Sequence, residues 1–205
     1  MDEVESKAAS LPQWCDTQGI SNDLLSTLLP GPVTVLLPRL PEDPLCPLLN
    51  PGVAEIGIRV PDSPLVCRLS AALATVLREE GLITIDDLYF HPSMKDKGYA
   101  SVTAIPLVLT SANPSGYQST LSPDEFSCLW PELDLVLDGG RIGGEAGDDQ
   151  LHRAASTVVD LSPTVRQSDT SAQSTRPYRI LREGSALVQT EEILHQFGFS
   201  KSCPS

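Results

Sequence analysis

The chain has 205 residues, of which 40% are hydrophobic and 20% are charged, values typical of a globular domain with a core of its own. No apolar stretch reaches the roughly 18–20 residues that span a bilayer, and the acidic N-terminus resembles neither a secretory signal nor a transit peptide, so we expect a cytoplasmic protein without membrane contact. The net charge of −13 disfavours nucleic-acid binding by the surface as a whole.

Helices and strands are predicted to alternate along the chain. In chain order, the pattern predicts a helix over 22–29, strands over 33–38 and 54–60, a helix from Ser63, a strand over 106–110, a helix from Ser122, strands over 133–138, 156–162 and 178–183, and a last helix from Thr190 toward His195. This alternation predicts an α/β domain with a parallel or mixed sheet.

Two of these elements carry stronger signals. In the helix that begins at Ser63-Pro64, leucines recur at every fourth residue and predict a stripe facing the core; they are Leu65, Leu69, Leu73 and Leu77. PLVLT (106–110) is an almost continuous apolar run, which is typical of a strand buried on both faces.

Small polar residues follow this last strand directly, and they include Ser111 and Asn113. Ligands of parallel α/β sheets bind beyond the carboxyl ends of the strands, where a hydroxyl and an amide would suit a polar small molecule. The alternative is that both residues only form the turn after the strand. A Ser-His-Asp hydrolase is poorly supported, because GxSxG is absent and no histidine lies near.

Two arginines occur within apolar strand patterns, Arg59 in GIRVP and Arg182 in ILREG. An unpaired guanidinium is costly to bury, so each arginine either pairs with an internal carboxylate or faces an anion of a ligand. Together with Ser156, which begins STVVDLS, they suggest a site for carboxylate and phosphate groups.

Other patterns carry little chemistry. The five cysteines are odd in number and widely spaced, so we expect free thiols rather than a zinc site or disulfides. The three histidines are scattered, and DGGRIGG (138–144) lacks the spacing of a phosphate-binding loop. No protein-held metal is expected, and no residue receives a catalytic role.

Six segments, taken together, resemble the YrdC/Sua5 family in the same order along the chain. They are LLPGPVTVLL (28–37), IGIRVPD (56–62), PLVLTSANPSG (106–116), LVLDGG (135–140), STVVDLS (156–162) and ILREGSAL (180–187). The resemblance implies a twisted, mixed or parallel sheet with flanking helices, as in YrdC- and RibB-like proteins. It also implies a threonylcarbamoyl-AMP synthase, which forms L-threonylcarbamoyladenylate and pyrophosphate from L-threonine, bicarbonate and ATP for the t6A modification of tRNA.

The matched motifs imply roles for five residues. Arg59, Ser111 and Ser156 would contact L-threonine, whereas Asn113 of the SxN motif and Arg182 would contact ATP. The resemblance implies Mg²⁺ bound through the phosphates of ATP rather than by a protein cage.

The family's N-terminal KxR motif has no counterpart here, since Lys7 is the only basic residue before Arg39. We therefore expect an N-terminally truncated domain over 20–200, a poorly ordered segment over 1–19, and insertions at about 75–104 and 163–177. Impaired ATP activation would follow, and a truncated isoform, an incomplete gene model or a non-catalytic relative are alternatives.

The resemblance also implies partners and a location. The downstream t6A transferase complex is the expected partner, and a mitochondrial form stays open. The alternative function is a non-catalytic YrdC-like protein that binds RNA or regulates; binding of tRNA or double-stranded RNA is disfavoured by the net charge.

Overall fold

The computed structural model describes Leu11 and residues 14–84, 89–90, 103–114, 116–143, 153–167 and 176–202. The chain divides into two compact units, Met1–Pro106 with Ser156–Ser205, and Leu107–Ala155. None of the helices in the described part of the chain combines the length and the apolar character needed to cross a lipid bilayer.

The first unit contains a mixed five-stranded sheet with helices. Its elements are α1 (Asn22–Leu28), β1 (Val33–Pro38), β2 (Glu55–Ile58), α2 (Pro64–Glu79), β3 (Tyr89–Phe90), β4 (Thr103–Ala104), β5 (Thr157–Asp160), α3 (Ser162–Gln167), β6 (Arg176–Arg182), α4 (Leu187–Gln196) and β7 (Phe199–Lys201). The strand order is β2-β1-β5-β6-β7, with β3 and β4 paired separately. The pairs β1–β5 and β6–β7 are parallel, and β1–β2 and β5–β6 are antiparallel. The α/β class with a mixed sheet is confirmed.

Strict alternation along β1 determines which face of the sheet carries the core. Val33, Val35 and Leu37 are at most 4% exposed, and they share one cluster with Leu24 and Leu25 of α1. The residues between them, Thr34 and Leu36, are only half-buried and therefore lie on the opposite face.

Helix α1 confirms its predicted start. The Ser21 hydroxyl accepts a hydrogen bond from the backbone N–H of Leu24 at 3.2 Å, which satisfies one of the free donors of the first turn. The helix ends before Pro30, which cannot continue it.

The predicted leucine stripe of α2 is wrong. The buried residues of this helix are Cys67, Ser70 and Ala74, whereas Leu65 and Leu69 are each 42% exposed. Small side chains permit a close approach that leucines would prevent, and the Ser70 hydroxyl donates to the carbonyl oxygen of Ile105 at 2.6 Å. Helix α2 therefore buries its small-residue face, which packs against the backbone at Ile105, and not its leucine-rich face.

Two predicted strands are absent from the described residues of the second unit. Residues 106–110 and 133–138 join neither sheet, and Val108 and Leu135 are 75% and 69% exposed. An apolar run becomes a strand only where another strand takes up its backbone hydrogen bonds, and neither sheet offers one here. The helix predicted from Ser122 is present as 3₁₀ helix over Pro123–Glu132, with a kink at Phe126, where the backbone dihedrals are not helical.

Several predicted boundaries also shift. Strand β2 ends at Ile58, so Arg59 follows the strand instead of lying within it. Helix α4 begins at Leu187, and Thr190 is therefore an interior residue whose hydroxyl donates to the carbonyl of Ala186 at 2.7 Å. The stretch 163–177, predicted as a loop, contains most of α3 and the first residues of β6.

The domain boundaries themselves stay predictions. Within the segment 1–19, Cys15 is fully buried in the core cluster, and the backbone N–H of Asp16 donates to the carbonyl of Pro38 at 2.8 Å. Most of the predicted insertion at 75–104 and the centre of that at 163–177 lie outside the described residues.

Candidate functional site

Three polar side chains meet on the half-buried face of the sheet. The guanidinium of Arg182 donates from Nε to the carbonyl oxygen of Ser156 at 2.9 Å and from Nη2 to the Ser156 hydroxyl at 2.8 Å. The Ser156 and Thr34 hydroxyl oxygens are 3.0 Å apart and share a hydrogen bond. Ser156 is 7% exposed, so this network fixes a buried hydroxyl between two neighbours. We call Thr34, Ser156 and Arg182 the polar cluster.

Strand register brings the polar cluster together. Thr34 pairs with Val158 across the parallel β1–β5 contact, and Val158 pairs with Arg182 across β5–β6. Ser156 directly precedes β5, so its side chain lies on the same face as that of Val158. Three neighbouring strands therefore supply one residue each.

Arg59, immediately after β2, provides a second cation near Arg182. Partial burial lowers the pKa of the Arg59 guanidinium, and the positive charge of Arg182 lowers it further. No carboxylate among the described residues pairs with Arg59. Of the two roles that the sequence left open, internal pairing therefore finds no support, and a ligand anion is the better match.

Gly57 of β2 leaves room beside the polar cluster. A Cβ atom at this position would lie 3.3 Å from the Thr34 methyl carbon, tighter than an ordinary contact. The absence of a side chain at Gly57 thus lets Thr34 occupy its present place against β2.

Most of the exposed hydrogen-bonding capacity of this face consists of donors. Arg59 and Arg182 carry only N–H groups, and Arg182 occupies one acceptor site of the Ser156 hydroxyl. The two hydroxyls of Thr34 and Ser156 have two protons, of which one is used between them, so one O–H is left for another acceptor. A ligand with several acceptor oxygens, such as a carboxylate or phosphate, fits this arrangement.

Ser111 and Asn113 belong to the second unit. Ser111 is exposed, whereas Asn113 is half-buried and donates from Nδ2 to the carbonyl oxygen of Tyr117 at 2.8 Å. This bond supports the turn-forming role that the sequence left open, and it leaves Asn113 Oδ1 as an acceptor.

An open pocket of about 550 Å³ adjoins Asn113 within the second unit. Its wall includes Glu125 and Arg153, whose guanidinium donates to both carboxylate oxygens, at 2.6 and 3.2 Å. The hydrogen bonds from Arg153 are the largest cause of a lowered pKa at Glu125, and Arg141 at 3.8 Å adds to it. Glu125 therefore stays ionised, and the pocket wall carries a fixed ion pair.

The described residues contain no group of three or more His, Cys, Asp or Glu side chains placed to hold an ion. The sheet face carries two guanidinium cations, Arg59 and Arg182, which suit the phosphate oxygens of a nucleotide and would repel a metal ion. Mg²⁺ would thus fit here only when carried by a phosphate ligand.

The structure brings three of the predicted site residues close together and adds one residue, Thr34, that was not predicted. Ser156 and Arg182 are bonded directly, and Arg59 acts on Arg182 through its charge. Thr34 was missed by sequence reasoning, although a threonine in the middle of VTVLLP was a visible signal. A polar residue in a core strand either has a partner or faces a site.

Comparisons with known proteins agree on one family. Residues 5–184 match the family model Sua5_yciO_yrdC, described as "Telomere recombination". This match begins earlier than the motifs suggested. The chain is 34% identical over 196 residues to the threonylcarbamoyl-AMP synthase of Bos taurus, covering 96% of this chain and 54% of the relative. For the Homo sapiens protein of the same name, identity is 35% over 190 residues, with 93% and 52% covered.

The chain thus spans about half the length of the curated relatives that it matches. Among solved structures, the crystal structure of P. abyssi Sua5 complexed with L-threonine gives a TM-score of 0.44 at 20% identity, with 87% of this chain and 38% of that chain covered. Since the family model covers more than half of the sequence, this chain belongs to the Sua5/YciO/YrdC family.

Proposed function

We propose that this chain carries out the threonylcarbamoyl-AMP synthase reaction, in which L-threonine, bicarbonate and ATP give L-threonylcarbamoyladenylate and pyrophosphate. The observation that carries the proposal is identity of 34–35% to enzymes of that name over more than nine tenths of this chain. The donor-rich sheet face supports it, because two of the three substrates are anions and the third carries a carboxylate.

The family resemblance implies a role for each residue, and the contacts of Arg59 and Ser156 support two of these roles. Arg59 has no internal acid partner in the described structure and would bind the threonine carboxylate. Ser156, held by Arg182, shares one hydroxyl proton with Thr34, and the remaining proton of the pair would be donated to a threonine oxygen. Ser111 would bind threonine, and Asn113 and Arg182 would bind ATP.

Catalysis would consist of positioning and charge stabilisation. The reaction joins three molecules, so holding them in one geometry removes a large entropic barrier. Charge develops on the phosphate oxygens as pyrophosphate leaves, and guanidinium donors stabilise that charge. Mg²⁺, when bound through the phosphates of ATP, supplies further charge neutralisation.

Threonine-dependent exchange of labelled pyrophosphate into ATP tests the proposal. We expect exchange to require both L-threonine and bicarbonate and to fall at least tenfold in Arg59→Gln. Arg176→Gln is the matched control, because it removes the same charge from the other end of β6. Absence of exchange together with absence of L-threonine binding by calorimetry would refute the proposal. Binding without exchange would instead favour a non-catalytic relative.

The product of the proposed reaction needs a second enzyme that uses it. L-Threonylcarbamoyladenylate is a reactive mixed anhydride, and we propose that the t6A transferase complex takes it up in the cytoplasm. Co-purification of tagged chain with that complex, compared with Arg176→Gln and Arg59→Gln variants, tests this partner. Failure of all three to co-purify would remove it.

A further inference from the structure

We propose that Thr34 is a positioning residue: its hydroxyl orients the Ser156 hydroxyl, so that the pair presents a single proton to an acceptor atom of the ligand. The identity of that ligand as L-threonine rests on the proposed function. The orientation itself rests on the polar cluster of the first unit.

The Ser156 hydroxyl needs a second contact, besides that with Arg182, to be held in one orientation. A serine hydroxyl can adopt three staggered positions, and its proton can rotate freely about the C–O bond. The 2.8 Å bond from Arg182 holds the oxygen from one side only, and because it occupies an acceptor site it does not orient the proton. The 3.0 Å contact with Thr34 holds the Ser156 hydroxyl from a second side, because one proton lies between the two oxygens, whichever of them donates it, and the other proton is left for a ligand.

Thr34 is itself held more firmly than a serine would be. Its β-branched side chain has few rotamers, and its methyl carbon lies where a Cβ of residue 57 would be only 3.3 Å away. Gly57 therefore provides space for the methyl group, and the methyl group directs the Thr34 hydroxyl toward Ser156.

Burial makes this arrangement selective. Ser156 is 7% exposed, so water competes weakly for its hydroxyl, and a misdirected proton would leave an acceptor atom of the ligand unsatisfied. One misplaced hydrogen bond of this kind changes affinity by about fivefold. Valine keeps the shape of threonine but lacks the hydroxyl, so Thr34→Val removes the bond to Ser156 without creating a cavity, and the protein should stay folded with a modest loss of stability.

The experiment is calorimetric titration of the full 205-residue chain with L-threonine. We expect Thr34→Val to raise the Kd about fivefold and to lower the melting temperature by about 2–4 °C, and Thr34→Ser to stay within about twofold of the wild-type Kd with a smaller change in melting temperature. Thr27→Val, the same change on the exposed side of α1, should alter neither quantity. Equal affinity of Thr34→Val and wild type would overturn the proposal.

A double-mutant cycle tests whether Thr34 acts through Ser156. In a Ser156→Ala background, Thr34→Val should cause no further loss of affinity. Additive losses would show an independent contact and overturn the proposal.

A Gly57→Ala variant tests the role of the Thr34 methyl group. It should weaken binding in the wild type but not in Thr34→Ser, which lacks that methyl group. Equal weakening in both would contradict the role given to it.

A ligand-free crystal structure of Thr34→Val separates this inference from the proposed function. We expect the Ser156 side chain to occupy more than one rotamer there, even if the wild-type protein binds no L-threonine and the proposed function fails. A single Ser156 rotamer that keeps the 2.8 Å bond to Arg182 would overturn the positioning role.

Discussion

Replacing Arg59 by glutamine should separate ligand binding from folding. The guanidinium has no carboxylate partner among the described residues, and both burial and the nearby charge of Arg182 lower its pKa. Both effects act against the charged form, so the folded protein gains little from this charge. We expect the free energy of unfolding to stay within about 0.5 kcal/mol of wild type, the scale of exposed charge interactions.

Affinity for L-threonine, unlike the free energy of unfolding, should change strongly in Arg59→Gln. Hydrogen bonds to charged groups are worth about 1.5–3 kcal/mol, which corresponds to a loss of roughly 10- to 150-fold in Kd for L-threonine. Glutamine keeps part of the length and one polar group of Arg59 but has neither the charge nor the paired N–H donors that bind a carboxylate.

Urea unfolding and calorimetric titration with L-threonine measure the two quantities on the same samples. Arg176→Gln is the control, since it removes the same charge six residues before Arg182 on β6, about 20 Å away along the strand. The control should leave threonine affinity unchanged. A loss of more than about 1 kcal/mol of stability in Arg59→Gln, with unchanged affinity, would refute the reasoning by showing a structural role.

The remaining predictions concern the core, the response to acid and the thiols. Leu24 is fully buried, so Leu24→Ala should cost about 3 kcal/mol in urea unfolding; a loss below 1 kcal/mol would contradict its burial. Arg153 holds the pKa of Glu125 below its ordinary value of 4.5, so the stability from this pair is present above that pH and is lost as pH falls through the lowered pKa. Unfolding followed between pH 5 and 2 should therefore depend less on pH in Glu125→Gln, and an identical profile would refute the pairing. Burial raises the pKa of the Cys15 thiol to about 12, so iodoacetamide at pH 8 should modify exposed Cys46 but not Cys15, as peptide mapping would show; rapid modification of Cys15 in the folded chain would contradict this.

Elements with local signals could be predicted from the sequence. The cap at Ser21 and the proline after Leu29 delimit α1 within a few residues, and the β-branched, apolar composition of VTVLLP predicts β1 with its observed bounds. These signals depend on backbone geometry within one or two turns, so no distant partner is needed.

Strands predicted from apolar runs alone were wrong, because nothing within such a run indicates whether another strand is available to pair with it. The segments 106–110 and 133–138 have strand-like composition, yet the described residues of the second unit offer them no strand to pair with. The leucines of α2 failed for a related reason, because Ser70 bonds to Ile105, which lies 35 residues further along the chain. Hydrophobic composition indicates that a residue can be buried, whereas the partner decides which residue is.

The candidate site divides in the same way. Arginines within apolar strand patterns were visible as anomalies, which is why Arg59 and Arg182 could be chosen from residue type alone. The bond between Thr34 and Ser156 joins residues 122 positions apart, and only the parallel pairing of β1 with β5 creates it. No spacing rule in a single sequence predicts that contact.

The register that creates the site is determined by the core. Val33 and Val35 are buried because they share the apolar cluster, and the residue between them must then lie on the other face. A slip of one residue would bury the Thr34 hydroxyl without Ser156 and expose two valines, losing about 1.5–3 kcal/mol for each fully exposed valine together with the hydrogen bond. The apolar side of β1 therefore holds the polar side in place, and substitutions in the core that loosen this register should disturb the polar cluster before they unfold the sheet.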